Sequence, residues 1–256
     1  MIHPTAIIDD TAIIADSVSI GAYSVIGANV EIGEGSVLGP HVVVNGPTKI
    51  GKYNRIFQFA SIGDVPQDLK YNNEPTRLEI GDRNTIREYV TLNRGTVDDE
   101  GVTRIGNDNL FMISCHVAHD CRIGNNVIVA NAVALAGHVH VDDYAILGGY
   151  TTVHQFTRIG AHCFTGFATA IDRDVPPFFT VVGNRARAVG INKEGLKRRQ
   201  FSDASIRAIQ QAFKILVKSD FSHKIAMERI EQLAGEHPEV AQIRDFIESS
   251  KRGWTR

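Results

Sequence analysis

The sequence predicts a parallel β-helix over residues 1–190, followed by a small α-helical domain over 191–256. Three observations predict it. An aliphatic residue returns every six positions, a small or slender residue stands four places after each of them, and both habits stop after Gly190. A period of six matches neither the 3.6 of a helix nor the two-residue alternation of one long strand. It suits short strands joined by tight corners. Three such sides close a coil of about 18 residues, and each coil buries its aliphatic row only by stacking on the next.

The first run of the array carries Ile8, Ile14, Ile20, Ile26, Ile32, Leu38, Val44, Ile50, Ile56 and Ile62. Its slender positions are Ala12, Val18, Ser24, Val30, Ser36, Val42, Thr48, Asn54 and Ala60. Glycine after the aliphatic residue, in IGAYSV, IGANVE and IGEGSV, is expected to supply corner dihedrals that a Cβ resists. Ile80, Ile86 and Leu92 keep the phase, which restarts at Ile105 and continues through Phe111, Val117, Ile123, Val129, Leu135, Val141, Leu147, Val153 and Ile159 to end near Ile171. Two stretches rich in Pro, Asn, Asp and Gly interrupt it, 63–79 and 93–104, and both are expected to leave the coil as loops. Beyond the array, Ser202 is placed to cap a helix with the stripe Ile206, Ile209, Phe213 and Leu216. Ser222 caps a second helix containing Ile225, Ile230 and Leu233, and Pro238 starts a third leading to Val240, Ile243 and Ile247.

The formal charge of −2, with no massed basic tract, argues against a nucleic-acid binder. Cys115, Cys121 and Cys163 are odd in number and form no CxxC pair, so neither a disulfide framework nor a cysteine-rich metal site is expected. No basic leader runs into an apolar stretch, and nowhere do about 18 apolar residues follow one another. A soluble cytoplasmic protein is expected.

Six of the ten histidines fall between His116 and His162. His119, His138 and His154 are spaced by close to one coil each, so they are expected on successive coils, roughly 4.8 Å apart, lining one groove. Such a row suits two chemistries. A neutral imidazole can take a proton from a hydroxyl, with Asp120 beside His119 to orient it. Alternatively, three histidines can hold zinc with an open fourth position, as in one class of carbonic anhydrase on a trimeric β-helix.

The segments HVAHDCRIGN, LAGHVHVDD, GGYTTVHQF and EGLKRR, with the QDLKY and EPTR loop, closely resemble the UDP-N-acetylglucosamine O-acyltransferases across essentially the whole chain. That family transfers a 3-hydroxyacyl group from acyl carrier protein to the glucosamine 3-hydroxyl of UDP-N-acetylglucosamine, opening lipid A synthesis. The resemblance implies a left-handed coil, a homotrimer with sites between subunits, and neither metal nor cofactor. By the same resemblance His119 is the general base, Asp120 its orienting partner, and Gly137 the residue whose N–H faces the developing oxyanion. Gln67, Asp68, Lys70, His116, His138, His154 and Gln155 match positions that contact substrate, and Asn192, Glu194, Arg198 and Arg199 match the nucleotide and phosphate side. Two departures stand out. Asn93 occupies a position where the family commonly has His, and takes no catalytic role. Phe167 replaces the glycine of long-chain members, which implies a shorter acyl slot with 3-hydroxydecanoyl as the expected donor. Arg207, Lys214 and Lys218 share one helical face suited to an acidic carrier protein.

Overall fold

The computed structural model describes all 256 residues. The six-residue period becomes short strands, mostly two residues long, aligned in three sheets of nine, eight and ten. The first face runs from Ile7–Ile8 to Ala170–Ile171, the second from Ile13–Ile14 to Arg158–Ile159, and the third from Ser19–Ile20 to Phe164–Thr165 and beyond. Stacking keeps register from coil to coil, with His116 opposite Ala134 and Ala134 opposite Thr152, apart from a shift between Ile62 and Asp64 where the first loop leaves. The aliphatic row from Ile20 to Ile171 points inward and is buried. Each such side chain contributes about 1.5–3 kcal/mol by leaving water. The slender positions Val18, Ser24, Val30, Ser36, Val42 and Thr48 are buried at the corners.

The corner glycines have a different cause from the one the sequence implies. Gly21 and Gly33 do not take positive φ; the left-handed residues are Tyr23 (φ 58°) and Asn29 (φ 56°), three places after the aliphatic residue, and their equivalents along each edge. What excludes a side chain at the glycine is the next coil. A Cβ at Gly21 would lie 2.5 Å from the Pro40 nitrogen, and one at Gly33 would lie 2.7 Å from the Gly51 carbonyl carbon. Left-handed backbone at non-glycine residues costs about 1–2 kcal/mol each, which the stacking of coils must offset.

Both loops leave at the edge where the first face turns into the second. They span 65–76 and 94–101, narrower than the sequence indicates, because the flanking strands Arg77–Ile80 and Val102–Ile105 lengthen into a four-residue ladder. Coiling also persists past Ile171. Val175 bridges to Ile159, and Phe179–Val182 stacks on Phe164–Thr165 before pairing antiparallel with Arg187–Ile191. Asp172 to Pro177 breaks the period there, which hides this last turn from a six-residue count.

Four helices follow: α1 (Lys193–Arg198), α2 (Asp203–Phe213), α3 (His223–Ala234) and α4 (Pro238–Ser249), with a π turn at Lys214–Lys218 after α2. Ser202 and Ser222 cap α2 and α3 by accepting the N–H of Ser205 and Ile225, and Pro238 opens α4. The stripe Ile206, Ile209, Phe213 and Leu216 is buried, and Phe213 meets Phe179 edge-on at 5.2 Å, joining the helices to the coil. In α3 the buried face is Ala226, Ile230 and Ala234, while Ile225 is exposed. The tail then returns to the coil. The Asp174 N–H donates to the Gly253 carbonyl, the Thr255 N–H donates to the Asp174 carbonyl, and Trp254 is buried. At the opposite end Ala12, Ile8 and Ile14 are only partly buried.

Candidate active site

The edge between the first and second faces gathers a column of polar groups. From coil to coil it carries the two loops, then His119 and Asp120, then Gly137 and His138, then Gln155 and Phe156. Asp120 is fully buried in left-handed backbone (φ 58°). Its Oδ2 lies 2.8 Å from His119 Nδ1 and accepts the Thr96 hydroxyl at 2.6 Å, while Oδ1 accepts the Thr96 N–H at 2.9 Å. Burial pushes the Asp120 carboxyl towards the neutral form, but the hydrogen bonds from His119 and Thr96 outweigh it and hold the group below its ordinary range. A carboxylate only accepts, so the His119 proton sits on Nδ1 and the Nε2 lone pair is left free. The His119 side chain is 14% exposed.

His138 stands edge-on to His119 with centroids 5.1 Å apart, stacks on Phe156 at 4.4 Å, and has Nδ1 3.4 Å from Asp99 Oδ2. The expected row of three histidines therefore holds two. Phe156 follows His138 along the edge by one coil, whereas His154 lies two residues earlier in the chain and turns to Arg252, whose Nη2 is 2.8 Å from His154 Nδ1. A three-histidine zinc site does not form. The metal-capable set is His119, Asp120 and His138, with ligand atoms within 4.8 Å of one another, and Asp120 already accepts hydrogen bonds from Thr96 and His119.

Gly137 abuts the His119 ring. A Cβ there would lie 2.5 Å from His119 Cε1 and 2.7 Å from Nε2. Its carbonyl accepts the Phe156 N–H, and its own N–H has no partner within the chain, as at the equivalent corner position Gly149. The residue with this free backbone donor thus packs against the His119 ring.

A groove of about 1430 Å³ runs along this edge and brings together six of the expected residues: Gln67, Asp68, Lys70, His119, His138 and Gln155. Lys70 reaches Asp98 of the second loop at 3.5 Å, tying the two loops together. His116 is on the first face, its Nδ1 2.7 Å from the Thr91 hydroxyl, and burial together with the charge of His119 lowers its pKa. The remaining expected residues are elsewhere. Asn192 caps α1 by accepting the Gly195 N–H and donates to the His162 carbonyl, on the edge between the second and third faces. Arg199 covers the Tyr144 ring at 5.0 Å on that same edge, while Glu194 and Arg198 are exposed. Phe167 is 74% exposed on the third edge, packed edge-on against Tyr150 at 5.4 Å. Asn93 is buried and donates to the Asp64 and Val65 carbonyls. Arg207, Lys214 and Lys218 are exposed.

No cysteine is free to act as a nucleophile. All three are buried and unpaired, and burial pushes the thiols of Cys115 and Cys121 up to about 11 and about 12. Sequence reasoning missed Thr96, Thr103, Asp99, Lys251 and Arg252. Thr103 receives the Asp120 N–H at 2.8 Å, and Lys251 and Arg252 line the groove. The only signal for Thr96 and Asp99 was their place in a loop leaving a rigid coil.

Residues 174–255 match the family model for UDP-N-acetylglucosamine O-acyltransferase, domain 2, and 103–137 match that for bacterial transferase hexapeptide repeats. Over its full length the chain is 54% identical to the acyl-(acyl-carrier-protein)–UDP-N-acetylglucosamine O-acyltransferase of Herminiimonas arsenicoxydans and 53% identical to that of Stutzerimonas stutzeri, spanning 99% of each. The chain belongs to this O-acyltransferase family. Among solved structures, the Acinetobacter baumannii enzyme superposes with a TM-score of 0.97 at 47% identity, with 100% of this chain and 99% of that one covered. The Francisella novicida enzyme gives 0.97 at 44%, covering 100% and 94%. The coil is the left-handed parallel β-helix of this O-acyltransferase family, closed by a small helical end.

Proposed function

We propose that the chain transfers a (R)-3-hydroxyacyl group from acyl carrier protein to the glucosamine 3-hydroxyl of UDP-N-acetylglucosamine, the first step of lipid A synthesis, by direct attack with His119 as general base. The observation that carries this reading is the His119–Asp120 pair, with His119 lining a groove of about 1430 Å³ and Gly137, its N–H unpartnered, packed against the His119 ring. Nε2 takes the proton from the sugar hydroxyl as its oxygen bonds to the thioester carbon, and Asp120 stabilises the imidazolium. The Gly137 N–H meets the oxyanion. Collapse breaks the carbon–sulfur bond, and the leaving thiolate recovers the proton from His119.

The residues assigned to substrate lie on three different edges of one prism, and the groove beside His119 takes in none of Asn192, Arg199 and Phe167. A threefold arrangement supports a shared site, because a copy turned about an axis parallel to the coil brings its second–third edge, with Asn192 and Arg199, against the His119 edge of its neighbour. The acyl chain would then cross the first face from His119 towards Phe167, over His116, Ala134 and Thr152. The apolar ladder Leu110, Ile128, Ile146 and Phe164 on the neighbour's third face would cover it. Phe167 closes that slot and selects a short donor of the 3-hydroxydecanoyl class. The exposed basic face of Arg207, Lys214 and Lys218 suits an acidic carrier protein. No helix is long and apolar enough to cross a membrane, and three free cysteines accord with a reducing compartment, which supports the cytoplasm.

The test is acyl transfer from 3-hydroxyacyl carrier proteins of graded length to UDP-N-acetylglucosamine, with the assembly mass measured alongside. Product with a short-chain optimum, moved to longer chains by Phe167→Gly, is expected from a trimer. An active monomer would end the shared-site model, and an unchanged optimum in Phe167→Gly would end the ruler.

A further inference from the structure

We infer that Arg252, on the C-terminal tail, is a positioning residue that fixes which nitrogen of His154 carries the proton, so that His154 meets the nucleotide sugar as an Nε2–H donor. The inference rests on the reading of His154 as a substrate contact. Two groups compete for His154 Nδ1. Arg252 Nη2 is 2.8 Å away and can only donate; the Gln155 carbonyl oxygen is 3.1 Å away and can only accept. The first demands a lone pair on Nδ1 and a proton on Nε2, and the second demands the reverse. A guanidinium never loses its proton in this pH range, and its approach is the shorter, so the Nε2–H tautomer is selected.

The tail is built to hold that guanidinium in place. Arg252 Nε donates to the Asp172 carbonyl at 2.7 Å, Ser250 Oγ donates to Asp174 Oδ2 at 2.7 Å, and the flanking Gly253 and Thr255 pair with the Asp174 backbone. Trp254 anchors the strap in the core, so Arg252 has little freedom although its side chain is exposed. Arg252 also lines the groove that contains His119. The last residues of the chain thereby govern a ring some hundred positions earlier.

Nitrogen-15 NMR of the full-length, histidine-labelled protein tests this, with His154 assigned by its loss in His154→Ala. At a pH where the ring is neutral, Nδ1 is expected to be pyridine-like and Nε2 pyrrole-like, and Arg252→Ala is expected to move both towards the opposite tautomer. The KM for UDP-N-acetylglucosamine should rise about tenfold in Arg252→Ala, the size of the one hydrogen bond that the His154 Nε2–H gives the substrate, with kcat less affected. Arg252→Lys should recover part of both changes, and thermal melting checks that each variant is folded. Once His154 is alanine, Arg252→Ala should add no further loss. Unchanged resonances, or losses that add in the double variant, would overturn the inference. If His154→Ala leaves KM unchanged, the assignment of His154 to substrate fails, while the resonances still decide what Arg252 does.

Discussion

Every edge of the prism carries stacked rings at the same left-handed corner position, but two of the edges, set side by side, differ in how those rings are held. On the edge between the third and first faces, Tyr23, His41, Phe59 and Tyr89 stack at 5.3–5.4 Å, with His41 exposed and no hydrogen bond to its ring. On the edge between the first and second faces, His138 stacks on Phe156 in the same manner, but His119 and His138 are fixed by Asp120, Asp99 and, behind them, Thr96. The coil places the rings on every edge; on this edge the histidine rings also meet carboxylates, Asp120 of the coil itself and Asp99 of the second loop, which also brings Thr96 onto Asp120.

The contrast breaks if the two edges respond alike to substitution. The largest effect is expected at the proposed base: His119→Ala should lower kcat about a thousandfold, while His41→Ala stays within about twofold, measured as acyl transfer under saturating substrate. A smaller effect separates the two glycines at equivalent corners. At Gly137 a methyl group would press into the His119 ring, and Gly137→Ala should cost about a hundredfold by displacing it. At Gly149 the nearest atom to a Cβ is 3.4 Å away, so Gly149→Ala should retain activity within about twofold. The smallest effect is on stability and comes from the remaining edge. His162, stacked between Tyr144 and Phe178, is pushed down to about 4 by burial and by Arg199, against an ordinary value near 6.5. Between about pH 6.5 and 4 the unfolded chain binds a proton that the folded chain refuses, so stability should fall as pH is lowered through that window. Melting curves should show His162→Gln flattening this slope, and an unchanged slope would place the acid sensitivity elsewhere.

The coil was legible because one period governs it: the aliphatic row, the slender corners and the helix caps at Ser202 and Ser222 each follow from local spacing. Phe156 was within reach of the same logic, since the coil advances by 18 residues from His138, whereas spacings of 19 and 16 only bracket that step. The Asp120–Thr96 contact was not legible. It depends on how a loop folds back over an edge, and no period describes that path. The role of Arg252 was hidden likewise, because a tail outside every repeat finds its place only by pairing with Asp174. Handedness came from resemblance alone, for a six-residue repeat is the same in either sense.

The stack of coils is closed at one end only. Helices and the tail cover the last turn, while at the first turn Ile8 and Ile14 are partly buried and the strand Ile7–Ile8 has a partner on one side, Val25–Ile26. Unravelling therefore has a direction. Amide protons should exchange first near Met1 and progressively later along the coil, because each turn can open only after the one below it has gone. His119 and Asp120 sit many turns from that first coil, so the early openings leave their corner intact.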